Sequence, residues 1–220
     1  MDEIHANGNA HLPHASKRTS RPAFHEMKFD IVGRRVLLPR GMEVDLGGIA
    51  KGWIVKKAAQ LLNTYAETCA VSAGGDMLFI GHPSDGMDWD IYLEDPRDPS
   101  LMLSQLHIGS GAVATSSVMK RTWSQGEKVR HHLIDPRTGE SVKTDWLGVT
   151  VISPDIIIAE VYAKAILIGG VGELPNLLNE RPELTFIAVD PDGNLLGSPD
   201  YKDYIYESTI DTTLSIGFPY

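Results

Sequence analysis

The sequence predicts an α+β fold with mainly antiparallel sheets and packed helices. Short apolar or β-branched runs outnumber helical stripes along the chain. Several of these runs lie close enough together to be joined as hairpins. Apolar spacing of helical period is confined to residues 47–62 and 156–168, with a short third segment at 174–178.

Taken in order, residues 1–27 are polar and His-rich and read as disordered or loosely attached, and residues 28–220 read as one domain. Residues 34–38 and 42–45 read as strands joined at Pro39-Arg40-Gly41, a hairpin signal. In the helix at 47–62, Ile49, Trp53, Ala58, Leu61 and Leu62 supply the stripe. Strands follow at 69–72, 77–80, 90–93, 106–108, 111–114 and 129–134, with a β-branched strand at 148–153. Asp155 is placed to cap the helix at 156–168, and Gly169-Gly170 to end it. A strand at 185–189 leads to a tight turn at Asp192-Gly193.

Bulk properties exclude some functions. The chain has 220 residues, enough for a sizeable core. Its net charge of −9, from 29 acidic and 20 basic residues, argues against a general nucleic-acid binder. Cys69 is the only cysteine, so there is no intrachain disulfide and no thiolate metal cluster; it reads as a small buried hydrophobe. No apolar run is long enough to span a bilayer. The start has neither the apolar core of a signal peptide nor a lipid-attachment cysteine, so the expected location is cytoplasmic.

Five segments carry candidate chemistry. In His131-His132-Leu133-Ile134-Asp135-Pro136-Arg137-Thr138-Gly139, two histidines of an extended strand point to opposite faces, and a turn follows. This brings an imidazole, a carboxylate and a guanidinium to one corner, or else forms an ordinary turn with solvated charges. In Val44-Asp45-Leu46-Gly47-Gly48-Ile49-Ala50-Lys51-Gly52-Trp53, an acid and two glycines precede a helix whose first N–H groups are open to a phosphate. An ordinary strand-to-helix turn is the alternative. Gly111-Ala112-Val113-Ala114-Thr115-Ser116-Ser117 ends in hydroxyls, with Lys120-Arg121 close behind; the alternative is a plain Ser/Thr turn. Ser72-Ala73-Gly74-Gly75-Asp76 sets an acid after a glycine pair, which fits a bulge equally well. In Ala159-Glu160-Val161-Tyr162-Ala163-Lys164-Ala165, Glu160 and Lys164 share one helix face, the spacing of a stabilising ion pair.

In chain order and spacing, the four segments at residues 44–53, 72–76, 111–117 and 131–139 resemble the motifs of the ApbE-type flavin transferases, the FAD:protein FMN transferases once called thiamine biosynthesis lipoproteins. The resemblance runs over about residues 32–197. It implies a T-fold-like α+β architecture with the flavin site in a cleft. It also implies transfer of FMN from FAD to a Thr or Ser hydroxyl of a target flavoprotein, with release of AMP. By the family pattern Asp45, Lys51, Thr115, Ser116, Ser117, His132 and Ile134 would contact FAD. The Gly48 carbonyl, Glu160 and the position of Lys164 would form a Mg²⁺ site. His132 is the candidate base or phosphate contact, a role suited to a group that titrates near neutrality.

The sequence departs from the pattern in four places. Glu160 stands where the family usually has aspartate, and Lys164 where it has threonine or a similar hydroxyl. A lysine ammonium has no lone pair and cannot ligate a cation. Either it replaces part of the metal's charge beside the pyrophosphate, or the metal binds through fewer ligands and Lys164 points elsewhere. Lys56 replaces a usual aspartate and reads as part of a solvated helix face. Family members also carry a longer stretch before the Asp45 motif, so a truncated form, or a wall supplied by another segment or partner, is expected. Two further functions remain open: a non-catalytic flavin-binding remnant, and a pyrophosphatase that makes FMN and AMP from FAD.

Overall fold

A computed structural model describes residues 23–208 apart from 121 and 127. The expectations for residues 1–22 and 209–220, and for Arg121, lie outside the described residues. The chain divides into two units, Met1–Asp45 and Leu46–Tyr220.

The described part of the first unit is a short 3-10 turn, Phe24–Glu26, and a two-stranded hairpin, β1 (Lys28–Asp30) with β2 (Arg35–Leu37). This corrects the expected hairpin. The strand around residue 36 pairs backwards with β1, from Lys28↔Leu37 to Asp30↔Arg35, and residues 42–45 form no strand. Local hydrogen bonds explain the choice. Gly33 N–H donates to Asp30 Oδ1 at 2.8 Å, and Arg34 takes a φ of 51°, closing a tight turn on the near side. At Pro39-Arg40-Gly41 the Pro39 carbonyl accepts from Met42 N at 3.0 Å, so the chain turns there without pairing. Asp45 is the last residue of this unit.

The second unit begins with α1 (Ala50–Leu62), β3 (Cys69–Ala73), β4 (Asp76–Ile80), β5 (Trp89–Glu94), β6 (Met102–Ile108) and β7 (Gly111–Ser117). A hairpin of β8 (Thr122–Gln125) and β9 (Lys128–His131) precedes β10 (Gly148–Ser153) and α2 (Ile156–Glu180). The unit closes with β11 (Thr185–Val189), β12 (Leu195–Gly197) and β13 (Ile205–Ser208). A six-stranded sheet, in the order β12-β11-β10-β7-β4-β3, is antiparallel throughout. A three-stranded antiparallel sheet, β13-β6-β5, is the second.

The large sheet is covered on both faces, which gives three layers. Towards the helices, Ala112, Ala114, Val149, Val151, Phe186 and Ala188 pack with Val55, Ile156, Ala159, Ala163 and Leu167. Towards the small sheet, Val113, Ile152, Ile187 and Val189 pack with Ile91, Leu93, Leu103, Leu106 and Ile108. The alternation follows the two-residue period of a strand. In β10 every residue is buried, because both of its faces meet a layer.

The expected α+β class is borne out. The strands expected at 148–153 and 185–189 have the observed bounds. Helix α1 starts three residues later than expected, because Ile49 N–H and Ala50 N–H both donate to the Leu46 carbonyl and spend Gly47-Gly48 in a turn. Strands β8, β12 and β13 were not expected. β9 stops at His131 instead of running to residue 134. Asp155 caps α2 by accepting from Ile157 N–H at 2.9 Å. The expected break at Gly169-Gly170 is real: Gly170 takes a φ of 61°, and the second helical stretch starts with Val171 N–H donating to Asp145. Cys69 is half-buried, not buried, with its thiol 4.0 Å from the Ala59 carbonyl.

Helices α1 and α2 meet at Gly52. A Cβ there would lie 3.0 Å from Glu160 Oε2, 3.0 Å from the Ile156 carbonyl oxygen and 3.1 Å from Ile157 Cα. Two of these are backbone atoms that have no room to retreat. Gly52→Ala is expected to destabilise the fold by about 1–3 kcal/mol, although alanine is the better helix former. A lower urea midpoint with an unchanged denaturant slope checks this; an unchanged or higher midpoint would contradict the close packing.

One turn later, Lys56 Nζ lies 2.5 Å from Asp155 Oδ2. This corrects the expectation that Lys56 belongs to a solvated helix face: it ties α1 to the cap of α2. Burial pushes the Asp155 carboxyl up, but the Lys56 ammonium and the Ile157 and Ile158 N–H groups together hold it below the usual carboxylate range.

Candidate active site

A cleft of about 460 Å³ opens at the end of the large sheet where β7 finishes and β4 and β10 begin. Gly47 and Lys51 bound it on the α1 side, Lys164 on the α2 side, and Tyr92 and Glu94 on the small-sheet side. Thr115, Ser116, Ser117 and His132 also line it. Segments far apart in sequence thus meet in one place.

Its cationic wall is built from two matched pairs. Asp76 begins β4 and is 1% exposed. One of its oxygens accepts from Thr115 N–H at 3.2 Å, and the other forms an ion pair with Lys51 Nζ. Gly74 and Gly75 have φ values of 62° and 92°, a left-handed turn that side-chain-bearing residues rarely adopt, and this turn delivers Asp76 to the cleft end of the sheet. The Lys51–Asp76 pair is not legible in the sequence, since nothing local links residue 76 to residue 51.

The second pair is on α2. Glu160 is also 1% exposed. Its Oε2 accepts from Gly52 N–H at 2.7 Å, and its Oε1 lies 3.9 Å from Lys164 Nζ. Helix α1 has no side-chain cap of its own and no acidic residue in its first turn. Glu160 therefore caps it from the neighbouring helix, with its charge beside the positive end of the dipole. Gly48 completes the group: a Cβ there would lie 3.4 Å from Lys164 Cδ, so the lysine stem passes close over bare backbone.

The hydroxyl residues have different tasks. Thr115 Oγ1 shares a 2.8 Å hydrogen bond with Thr150 Oγ1 on β10. Ser117 Oγ donates to the Leu147 carbonyl and accepts from Met119 N–H, so it shapes the loop after β7. Ser116 is buried and lines the cleft. At the rim, Lys120 Nζ pairs with Glu94 Oε2 at 2.9 Å, a contact that sequence reasoning missed.

The histidine segment divides as the alternation implies. His131 Nε2 is bonded to the Val142 carbonyl at 3.0 Å, while His132 is exposed on the cleft wall. His132 Nδ1 lies 3.1 Å from the Lys120 carbonyl oxygen. A carbonyl only accepts, so the proton of the neutral ring sits on Nδ1 and Nε2 is the basic nitrogen.

The rest of that segment is structural. Asp135 is buried and holds Arg137 through the arginine N–H, Nε and Nη2. Asp95-Pro96-Arg97 repeats the same arrangement at the cleft, with the Arg97 N–H 2.8 Å and Nη2 2.7 Å from the Asp95 carboxylate. There the Arg97 guanidinium holds the Asp95 carboxyl below the usual range. Two Asp-Pro-Arg turns with one geometry mark this as a turn lock, a signal visible in the sequence but unused. The imidazole, carboxylate and guanidinium of residues 132–137 do not form one catalytic group. Ile134 bridges to Ser141 and lies outside the lining of the cleft. Asp45 belongs to the first unit.

The sequence pattern of the ApbE family matches residues 4–188. The chain belongs to the ApbE family. Among ApbE relatives, the FAD:protein FMN transferase of Treponema pallidum is 29% identical over 182 residues, covering 77% of this chain and 49% of that protein. The FAD:protein FMN transferase of Klebsiella pneumoniae is 31% identical over 162 residues, covering 72% and 49%. The chain thus spans about half the length of the curated relatives it matches. Among solved structures, the ApbE protein of Thermotoga maritima superposes with a TM-score of 0.76 at 29% identity, over 84% of this chain and 60% of that one. The flavin transferase ApbE of Vibrio cholerae gives 0.67 at 25% identity, over 83% and 59%.

The Mg²⁺ site implied by the ApbE resemblance does not fit these residues. Gly48, Glu160 and Lys164 do come together, but one carboxylate oxygen is taken by Gly52 N–H and the other faces an ammonium. Mg²⁺ needs octahedral oxygen ligands, and lysine offers none. Among the described residues no group of three His, Cys, Asp or Glu side chains is placed to hold a metal. Nor is any described helix long and apolar enough to cross a membrane.

Proposed function

We propose that this chain transfers FMN from FAD to a Thr or Ser hydroxyl of an acceptor flavoprotein and releases AMP. The observation that carries the proposal is the convergence of Lys51, Lys164, Thr115, Ser116 and His132 on one cleft. The cleft is of the size that holds a small molecule. Its two ammonium groups, each steadied by a buried carboxylate, suit a pyrophosphate.

In the reaction the acceptor hydroxyl oxygen attacks the phosphorus on the FMN side. A new oxygen–phosphorus bond forms, the bond from that phosphorus to the bridging oxygen breaks, and AMP departs with the bridging oxygen. His132 Nε2 takes the hydroxyl proton. Its exposure lets the acceptor chain reach it. Lys51 and Lys164 stabilise the charge that builds on the phosphoryl oxygens, and the cleft walls position the two reactants. Because the metal position does not fit, no step is assigned to Mg²⁺.

FAD should bind at least about tenfold more tightly than riboflavin, since charge-assisted hydrogen bonds to phosphate are each worth about 1.5–3 kcal/mol. Calorimetric titration checks this, and equal affinities would remove the phosphate-binding role of the two lysines. A second reading, flavin binding without transfer, is favoured by the misfit at the metal position. Its signature is retained FAD with neither AMP release nor a labelled acceptor.

A further inference from the structure

We infer that the Lys164 ammonium takes the place of a divalent cation at the pyrophosphate, so that nucleotide binding by this chain is independent of Mg²⁺. The inference rests on the flavin reading proposed above.

The two halves of the cationic wall are built alike. Lys51 stands on Asp76 and Lys164 on Glu160, and both carboxylates are 1% exposed. A carboxylate this deep requires a fixed counter-charge. At Glu160 the fold supplies it twice, through the Gly52 N–H at the positive end of α1 and through the lysine. The oxygen that would face a metal, Oε1, accepts no hydrogen bond and is faced by the ammonium at 3.9 Å.

Geometry directs the ammonium to the ligand. The Lys164 stem runs over Gly48, where a Cβ would come within 3.4 Å of Cδ and 3.8 Å of Cε, and Lys164 lines the cleft. An ammonium carries three N–H donors. At 3.9 Å from Glu160 Oε1 the ammonium is an ion-pair partner of that oxygen and not its hydrogen-bond donor, and Lys164 lines the cleft in which a phosphate would meet it. A metal bound to Glu160 Oε1 would sit a few ångströms from a fixed positive charge, and the two cations would repel. One small volume thus holds the ammonium or the metal, and the structure is built around the ammonium.

The test is titration of the full chain with FAD, in EDTA and in Mg²⁺, with a thermal melt on every variant. The wild type is expected to give the same affinity in both buffers within about twofold. Lys164→Thr, which restores a hydroxyl, should bind FAD at least about tenfold more weakly in EDTA and recover in Mg²⁺. Lys164→Arg should keep the metal-independent affinity. Because Lys164→Thr strands a buried carboxylate, the Glu160→Gln/Lys164→Thr double variant serves where the single one fails to fold; it should bind weakly in both buffers. Tenfold tighter wild-type binding in Mg²⁺ would overturn the inference and leave the flavin reading standing. Wild-type affinity in EDTA for either threonine variant would do the same. No FAD binding in either buffer would overturn both.

Discussion

Replacing His132 by alanine is expected to slow FMN transfer by about 10²–10⁴-fold, the usual contribution of a positioned proton acceptor, while FAD affinity and thermal stability stay near wild type. The side chain is exposed, so its removal leaves no cavity. What is lost is a basic nitrogen whose tautomer is set by the Lys120 carbonyl at 3.1 Å. Single-turnover transfer to an acceptor, measured beside an FAD titration, separates the two effects. His131→Ala is the informative control, because His131 is held by the Val142 carbonyl on the other face. It should lower stability rather than selectively slow transfer. Full transfer by the His132 variant would remove this residue from the mechanism. An equal loss of FAD affinity would make it a binding group instead.

Asp76→Ala should have the next largest effect, because two functions meet in one buried carboxylate. It leaves the Thr115 N–H without its acceptor and Lys51 without its anchor. A hydrogen bond to a charged group contributes about 1.5–3 kcal/mol, so the urea midpoint should fall. FAD affinity should drop by at least about tenfold as the Lys51 ammonium loses its fixed position. Asp76→Asn offers the Thr115 N–H an acceptor while removing the charge, so it should regain most of the stability and little of the affinity. If both variants bound FAD like the wild type, Lys51 would not need Asp76 to meet its ligand.

The sequence was most legible where a local pattern and a tertiary demand agree. The strand at 148–153 and the Asp155 cap are both local signals, and both stand as expected. The convergence of Lys51, Thr115, Ser116 and His132 was reached through the resemblance, not from periodicity. Less was legible where distant residues decide. The Lys51–Asp76 and Lys56–Asp155 pairs cross between elements, and no spacing rule connects them. Glu160 looked like a simple helix-surface partner of Lys164. Its stronger contact is to Gly52 N–H, 108 positions away in sequence. The first hairpin was misassigned because Pro39-Arg40-Gly41 is a turn signal with no information about which neighbour pairs. Asp135 and Arg137 form a polar cluster in the sequence, but their side chains are hydrogen-bonded to each other within a turn.

The most direct test of the central claim is incubation of this chain with FAD and an acceptor flavoprotein bearing its target threonine or serine, followed by mass spectrometry of the acceptor and nucleotide analysis. The account predicts a covalent FMN adduct on that hydroxyl with one AMP released per adduct, and loss of both products in the His132→Ala variant. Free FMN and AMP with an unmodified acceptor, or unconsumed FAD, would contradict it.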